Sequence, residues 1–291
     1  MNNTEGFKNV LIVGLGLIGG SIAKRLKDIS YPGDVYGLDQ DLRVLKSAYQ
    51  DSLVKNDKLT SLDGLEDLLI IFCTPVLSFK EALESVLSFQ PSEQAVFTDT
   101  LSTKASALEL LISEFSSITN RFILSHPIAG SERSGLQNSK ESLFTDRITV
   151  ISPHETNDNH LIAKVADFWK QPGSHTKILS CKEHDDIFAK TSHLPHVISY
   201  ALTQSLFSKL HERTFEFSGG SLEDYTRIAS SDPVMWKDIF MSNNENILKS
   251  IDDFEVSLKE LKELIKRQDD KAIEQFLLET KTLRDNSLEN E

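Results

Sequence analysis

The first 180 residues alternate short hydrophobic runs with longer amphipathic stretches. The hydrophobic runs predict six β-strands, at residues 10–13, 35–38, 68–72, 95–98, 122–124 and 147–151. Between them, the spacing of apolar residues predicts helices, which include 21–29, 77–87 and 105–115. Strands that alternate with helices of this length are typical of a mostly parallel sheet with helices on both faces. We therefore predict a doubly wound α/β domain over residues 1–180.

The pattern changes near Ser180, and we predict an all-helical domain over residues 181–291. Residues 188–210 form one long apolar helical pattern. A second helix carries a stripe that steps by four and three, as in a coiled coil, made of Ile247, Ile251, Phe254, Leu258, Leu261 and Ile265. Such a stripe can pack on its own domain or against a second subunit. Three heptads do not separate the two arrangements.

A glycine-rich turn, Gly14-Leu15-Gly16-Leu17-Ile18-Gly19, follows the first predicted strand and precedes a helix. In this context the motif predicts a Rossmann-type dinucleotide site. The first glycine permits the tight turn, the second lets the backbone approach the pyrophosphate, and the third lets helix and strand pack closely. The helix that opens at Leu17 and Ile18 presents its amide groups to the phosphates.

Asp39 ends the second predicted strand, about 20 residues after the glycine turn, where an acidic side chain binds the adenosine ribose hydroxyls. A carboxylate at this position repels a 2′-phosphate, so we predict NAD rather than NADP. Thr74 and Pro75, which follow the third strand, are assigned to the same cofactor site. A flavin dinucleotide and a turn without any ligand are the alternatives.

Composition narrows the function classes. The formal net charge of −13 argues against a general nucleic-acid binder, which needs a basic face. No stretch approaches the roughly 20 apolar residues that span a bilayer, and the N-terminus lacks a signal-peptide pattern. The two cysteines, Cys73 and Cys181, lie far apart and have no zinc-site spacing. We expect a cytoplasmic protein that binds neither membranes nor nucleic acids.

Three polar segments are candidates for the chemistry. Residues 125–135 contain His126 just after the fifth strand, and histidine is suited to act as a general base. Residues 192–196 contain His193 and His196. Because no third ligand stands at a suitable spacing, we predict no metal site here. We predict a substrate contact for one of these histidines and a buried structural role for the other. Residues 224–236 contain Arg227, whose guanidinium suits a carboxylate.

Taken together, these segments resemble the prephenate/arogenate dehydrogenase family over nearly the full length. The resemblance is carried by the glycine turn and by the segments Asp99-Thr-Leu-Ser-Thr-Lys104, His126-Pro-Ile-Ala-Gly130, Ser192-His-Leu-Pro-His196, Thr226-Arg-Ile-Ala229 and Ser231-Asp-Pro-Val-Met-Trp236. It implies NAD-dependent oxidative decarboxylation of prephenate to 4-hydroxyphenylpyruvate, in tyrosine biosynthesis.

The resemblance also implies roles for individual residues. His126 is expected to take the proton of the substrate's ring hydroxyl, and Ser102 to orient His126 and contact that hydroxyl. Arg227 is expected to bind a substrate carboxylate, with His196 and Trp236 in the same pocket. The helical domain is expected to form a homodimer, which favours a subunit interface for the stripe.

Other functions compete with this one. Arogenate is an alternative substrate that differs only in an amino group on the side chain. β-Hydroxyacid dehydrogenases and imine reductases have a similar architecture, but typically place a catalytic lysine in the helical domain, and this sequence shows none in an equivalent motif. A non-catalytic NAD-binding regulatory protein is the alternative from a different class, and the presence of Ser102, His126 and Arg227 argues against it.

Overall fold

A computed structural model describes residues 6–131, 133–207, 217 and 219–288. The chain divides into two compact units, residues 1–244 and 245–291. No helix among the described residues is long and apolar enough to cross a membrane.

The first unit begins with alternating strands and helices. The strands are β1 (Asn9–Val13), β2 (Asp34–Leu38), β3 (Leu68–Phe72), β4 (Val96–Asp99), β5 (Phe122–Pro127), β6 (Ile148–Ser152) and β7 (His175–Ile178). The helices among them are α1 (Leu17–Asp28), α2 (Leu42–Gln50), α3 (Phe79–Leu87), α4 (Ala105–Glu114), α5 (Ser116–Thr119) and α6 (Asn159–Lys170). The helices that follow are α7 (Cys181–Phe188), α8 (Leu194–Phe207), α9 (Gly220–Thr226) and α10 (Pro233–Ser242), with a π-helical turn, Ala189–His193, between α7 and α8.

The seven strands form one sheet in the order β2-β1-β3-β4-β5-β6-β7. All neighbouring pairs are parallel except β5 and β6, which are antiparallel. The chain leaves β1 toward β2 on one side and later crosses to β3 on the other side. Open α/β sheets bind ligands at such a reversal, beyond the carboxyl ends of the strands.

The two faces of the sheet carry separate hydrophobic cores, because successive side chains of a strand point to opposite faces. In β1, Val10 and Ile12 pack with α1 and α6 in one core, whereas Leu11 and Val13 pack with α3 and α4 in the other. Helices therefore cover both faces. The predicted fold class, a doubly wound and mostly parallel sheet followed by helices, is confirmed.

The second unit comprises most of α11 (Asn244–Arg267) together with α12 (Asp270–Leu288). Gln268, between the two helices, has a left-handed φ of 54°. Along the stripe predicted from the heptads, Leu258 and Ile265 are 53% and 58% exposed.

The structure differs from the sequence predictions at the far end of the sheet. β7 was not predicted, because its residues His175, Thr176 and Lys177 are polar and none of its four side chains is buried. β5 continues through Pro127, so His126 lies within the strand and not in the loop after it. The predicted domain boundary between residues 180 and 181 stays a prediction.

Candidate active site

A cleft of about 890 Å³ opens at the carboxyl ends of β1 and β3 in the first unit. Residues from the glycine turn, from β5 and from the helices after β7 line it together. Ten of the predicted site residues are among them: Gly16, Leu17, Ile18, Thr74, Pro75, Ser102, His126, His196, Arg227 and Trp236. The structure thus brings together all three polar segments that the sequence singled out.

The glycine turn forms one end of the cleft, and its three glycines meet different constraints. Gly14 has a φ of +90°, and a Cβ there would lie 2.7 Å from the carbonyl oxygen of Cys73. A Cβ on Gly19 would lie 1.9 Å from the carbonyl oxygen of Gly14. A Cβ on Gly16, by contrast, would meet no atom of the described residues within 4 Å, its two chain neighbours aside. Gly14 and Gly19 are therefore required by the protein's own packing, whereas the open space at Gly16 suits a ligand that approaches the backbone.

Asp39 does not line the cleft itself but lies beside the turn, just after β2. Its Oδ2 accepts a hydrogen bond from the amide of Leu15 at 2.7 Å, and its Oδ1 accepts one from the amide of Asp41 at 2.9 Å. The carboxylate is thereby fixed next to the turn and keeps lone pairs for further donors. Thr74 lies on the other side of the turn, and its buried Oγ1 has no hydrogen-bond partner among the described residues. These features fit a dinucleotide that would bring hydroxyl donors to Asp39 and a polar partner to Thr74.

His126 forms the other end of the cleft, and its imidazole belongs to a chain of buried side chains. Its Nδ1 lies 2.8 Å from Nε2 of His184, and Nδ1 of His184 lies 2.7 Å from Oδ1 of Asp185. Burial, with smaller contributions from the charges of His184 and Lys104, holds the pKa of His126 well below 6.5. His126 is therefore a neutral imidazole near neutral pH, which is the form that accepts a proton.

Ser102 lies in the loop between β4 and α4 and lines the same cleft. Among the described residues no hydrogen bond joins Ser102 to His126, whose ring is held by His184 instead. The expected contact of Ser102 with a substrate hydroxyl stays a prediction.

His193 and His196 differ in exposure and in partners. His193 is buried, and its Nδ1 lies 3.2 Å from Nδ2 of Asn243. Burial lowers its pKa to about 4. His196 is only half-buried; its Nδ1 donates to the carbonyl oxygen of Ser192 at 2.9 Å, and its ring stacks on Trp236 at 3.5 Å between centroids. No group of three or more potential metal ligands occurs within the described ranges.

Trp236 and Arg227 complete the wall around His196. The indole Nε1 of Trp236 is buried and has no hydrogen-bond partner among the residues that the structure describes, so it can donate to a ligand in the cleft. Arg227 begins a 3-10 turn, Arg227–Ser230, that packs against α8. Burial lowers the pKa of His196, and the nearby charge of Arg227 lowers it further. A cation, an indole donor and an imidazole thus share one wall, which suits an anionic and partly aromatic ligand.

Sequence reasoning missed His184, which contacts His126, and Asp185, which contacts His184. They lie in α7, where a capping box formed by Ser180 and Glu183 fixes the first turn. The Ser-x-x-Glu spacing could have located the start of this helix. Only the fold, however, brings α7 next to β5, so no local sequence pattern indicated that His184 contacts His126.

The chain matches two models of one protein family. A model described as "Prephenate dehydrogenase, nucleotide-binding domain" matches residues 22–178, and one described as "Prephenate dehydrogenase, dimerization domain" matches residues 180–279. Together they span most of the chain.

Individual relatives agree with the family models. A cyclohexadienyl dehydrogenase of Zymomonas mobilis is 32% identical over 280 residues, which cover 93% of this chain and 93% of the relative. A prephenate dehydrogenase of Lactococcus lactis is 31% identical over 282 residues, covering 95% and 77%. The crystal structure of prephenate dehydrogenase from A. aeolicus in complex with hydroxyphenyl propionate and NAD+ superposes with a TM-score of 0.87 at 35% identity, covering 98% of this chain and 99% of the other.

Proposed function

Because the chain belongs to the prephenate dehydrogenase family, we propose that it oxidises prephenate with NAD, releasing CO2 and 4-hydroxyphenylpyruvate. One observation carries this proposal: the cleft combines a dinucleotide-type glycine turn with a neutral buried histidine and an arginine. Prephenate carries a ring hydroxyl and two carboxylates, which match a proton acceptor and a cation.

Bound NAD would supply the acceptor for the hydride that leaves the hydroxyl-bearing carbon. Its pyrophosphate would meet the amides at Gly16, Leu17 and Ile18, and its adenosine ribose would meet Asp39. The carboxylate of Asp39 disfavours a 2′-phosphate, which supports NAD over NADP. Thr74 and Pro75, which line the cleft beside the glycine turn, are proposed as further cofactor contacts.

His126 would act as the general base. Since Nδ1 is engaged by His184, Nε2 is the nitrogen that would take the hydroxyl proton as the hydride departs. Removing this proton raises the electron density on oxygen when the carbon loses its hydride. The proton returns to oxygen as the ring carboxylate departs, so that the histidine is neutral again at the end. Binding of a dianionic substrate would raise the pKa of His126 and bring it closer to a value suited to this exchange.

Arg227 would bind a substrate carboxylate, and Trp236 and His196 would enclose the ring next to it. The unpartnered Nε1 of Trp236 supports this arrangement, because a buried indole N–H is stabilised by an acceptor. Ser102, on the same cleft, would contact the ring hydroxyl.

The chain would act as a homodimer through its helical region. The match of residues 180–279 to a dimerization domain supports this, as do the exposed apolar side chains of α11 and α12, Leu258, Ile265, Leu277 and Leu283. With this assembly, we propose residues 1–180 as the dinucleotide domain and 181–291 as the substrate and dimerisation domain. Light scattering coupled to size exclusion tests it: the mass of one chain would contradict the dimer.

The reaction is tested by following NADH or NADPH absorbance with each pairing of prephenate or arogenate with NAD or NADP. We expect the highest kcat/KM for prephenate with NAD. The similar structure of a Synechocystis arogenate dehydrogenase, 26% identical with a TM-score of 0.78, gives arogenate as the second candidate. A higher kcat/KM with arogenate than with prephenate would make arogenate the preferred substrate. Binding of NAD without turnover of either compound would favour a regulatory protein.

A further inference from the structure

The carboxylate of Asp185 is the far end of the contacts that run from His126 through His184, and within the part of the chain that the structure describes its two oxygens contact hydrogen-bond donors. Oδ1 of Asp185 accepts from the backbone amide of Lys104 at 2.8 Å, and Oδ2 accepts from the amide of Ala105 at 2.8 Å. These amides are at the start of α4, where backbone N–H groups have no partner within the helix. The side chain of Asp185 therefore acts as an acceptor on both oxygens, and the third contact, with Nδ1 of His184, needs a proton on the histidine nitrogen.

The proton on His184 fixes what its other nitrogen can do. A neutral imidazole has one N–H donor and one acceptor nitrogen. Burial lowers the pKa of His184, which favours the neutral ring. With its proton on Nδ1, His184 presents a lone pair at Nε2, and Nε2 lies 2.8 Å from Nδ1 of His126. Two lone pairs would repel at this distance, so Nδ1 of His126 must carry the proton.

We propose that His184 and Asp185 are positioning residues, which hold His126 in the tautomer that has its proton on Nδ1 and its lone pair on Nε2. Neither residue needs to touch the substrate. They decide which nitrogen of His126 is the base. The kinetic part of this inference rests on the proposed function, in which His126 takes a proton from the substrate.

The contacts from His126 through His184 to Asp185 are held by surrounding residues, so these side chains are in place before any ligand binds. His184 and Asp185 are buried, and Nδ2 of Asn243 donates to the backbone carbonyl of Asp185 at 2.8 Å. Phe188 packs against both imidazoles, with centroids 5.1 Å from His126 and 4.5 Å from His184. The rings therefore have little freedom to rotate out of line.

Lys104, which forms a buried ion pair with Asp99, connects the strand that carries His126 to the carboxylate of Asp185. The Nζ of Lys104 pairs with the carboxylate of Asp99 and donates to the carbonyl oxygen of Ser125 at 2.6 Å. Ser125 precedes His126 in β5, while the amide of Lys104 is bound to Asp185. One residue thus ties the strand that carries His126 to the carboxylate at the other end of the chain.

A tautomer measurement tests the inference without any turnover. Nitrogen-15 spectra of the histidine-labelled protein separate a protonated ring nitrogen from a bare one, and loss of signals in His126→Asn assigns the residue. We expect a protonated Nδ1 and a bare Nε2 on His126 in the wild-type protein. A proton on Nε2 of His126 would overturn the proposal, whatever the substrate proves to be.

Two substitutions at His184 then separate positioning from packing. His184→Phe removes the acceptor, and we expect the Nε2-protonated form of His126 to appear and kcat to fall roughly 10- to 100-fold, with KM for prephenate changed little. His184→Gln keeps an acceptor oxygen near the former Nε2. It should restore the tautomer and most of kcat.

His154→Phe is the control, because it makes the same exchange at a partly buried histidine that contacts Thr119 and Asn157 and does not line the cleft. It should leave kcat and the signals of His126 unchanged. Wild-type tautomer and kcat in a folded His184→Phe protein would overturn the proposal. If prephenate is not the substrate, the wild-type protein will not turn it over either. The nitrogen-15 signals of His126 would still show whether His184 sets its tautomer.

Discussion

The two ends of the cleft are built in different ways. The first, which we call the glycine end, comprises residues 14–19 with Thr74 and Pro75, and it offers mainly backbone and open space. The second, which we call the histidine end, comprises His126, His184, His193 and His196, and it offers imidazoles whose pKa values are lowered mainly by burial. Binding of a cofactor at the glycine end therefore depends on shape, whereas chemistry at the histidine end depends on protonation.

The largest expected effect is at the histidine end. His126→Asn removes the proton acceptor but keeps a polar side chain of related shape, and kcat should fall by about 10²- to 10⁴-fold. NAD affinity, measured by calorimetry, should stay close to that of the wild-type protein because the glycine end is untouched. Normal turnover by this variant would remove the assigned role of His126.

Acid should destabilise the histidine end. The pKa of His193 falls from 6.5 in the unfolded chain to about 4 in the folded one, because of burial. Between these values the unfolded chain binds more protons, so the free energy of unfolding decreases as the pH falls through this window. For His193 the loss is on the order of 3 kcal/mol.

Urea unfolding between these two pH values measures this loss. His193→Gln removes one titrating group and should make the pH dependence less steep, while His126, His184 and His196 still contribute. An equally steep dependence in the variant would show that other groups are responsible.

Arg227, near His196, tests the substrate-binding part of the histidine end. Arg227→Ala should raise KM for prephenate roughly 10- to 100-fold, the range for a lost hydrogen bond to a charged group, with a smaller effect on kcat. Arg227→Lys keeps the charge but loses the bidentate geometry, so its KM should lie between those of the wild-type protein and Arg227→Ala. A loss of kcat alone, with KM unchanged, would assign Arg227 to the reaction step and not to substrate binding.

Two alanine substitutions, at Gly16 and Gly19, separate ligand binding from packing at the glycine end. Gly16→Ala adds a methyl at a position where φ is −72° and where, chain neighbours aside, none of the described atoms lies within 4 Å. Stability should change by less than about 0.5 kcal/mol, whereas NAD affinity should weaken roughly tenfold.

The same methyl at Gly19 would meet the carbonyl oxygen of Gly14 at 1.9 Å, which should lower stability by about 1–3 kcal/mol. Thermal unfolding with and without NAD measures both effects. If the two variants were equally stable, the packing role assigned to Gly19 would be wrong.

The same contrast explains how far the sequence could be interpreted. The glycine end is a continuous segment, so local spacing predicted the turn and the helix that opens at Leu17. Hydrophobic runs also predicted β1 to β6 to within a few residues, because these strands are mostly buried. β7 was missed because its polar residues at the sheet edge resemble a loop.

The histidine end is discontinuous in sequence, and so it could be predicted only in part. Three polar segments of the sequence singled out His126, His196 and Arg227, resemblance to a family implied their roles, and the cleft brings them together. His184 and Asp185 were not predicted, because their roles depend on contacts between α7, β5 and the start of α4. Such contacts follow from packing across the sheet, which no local pattern encodes.

A crystal structure with NAD and 4-hydroxyphenylpyruvate would show whether His126 faces the ring hydroxyl, because it gives the distance between the two groups. We expect Nε2 of His126 within roughly 2.6–3.2 Å of the ring hydroxyl oxygen, with a carboxylate on Arg227. A hydroxyl bound away from His126, or an imidazole turned so that Nδ1 faces the hydroxyl, would contradict the role of His126 as the base.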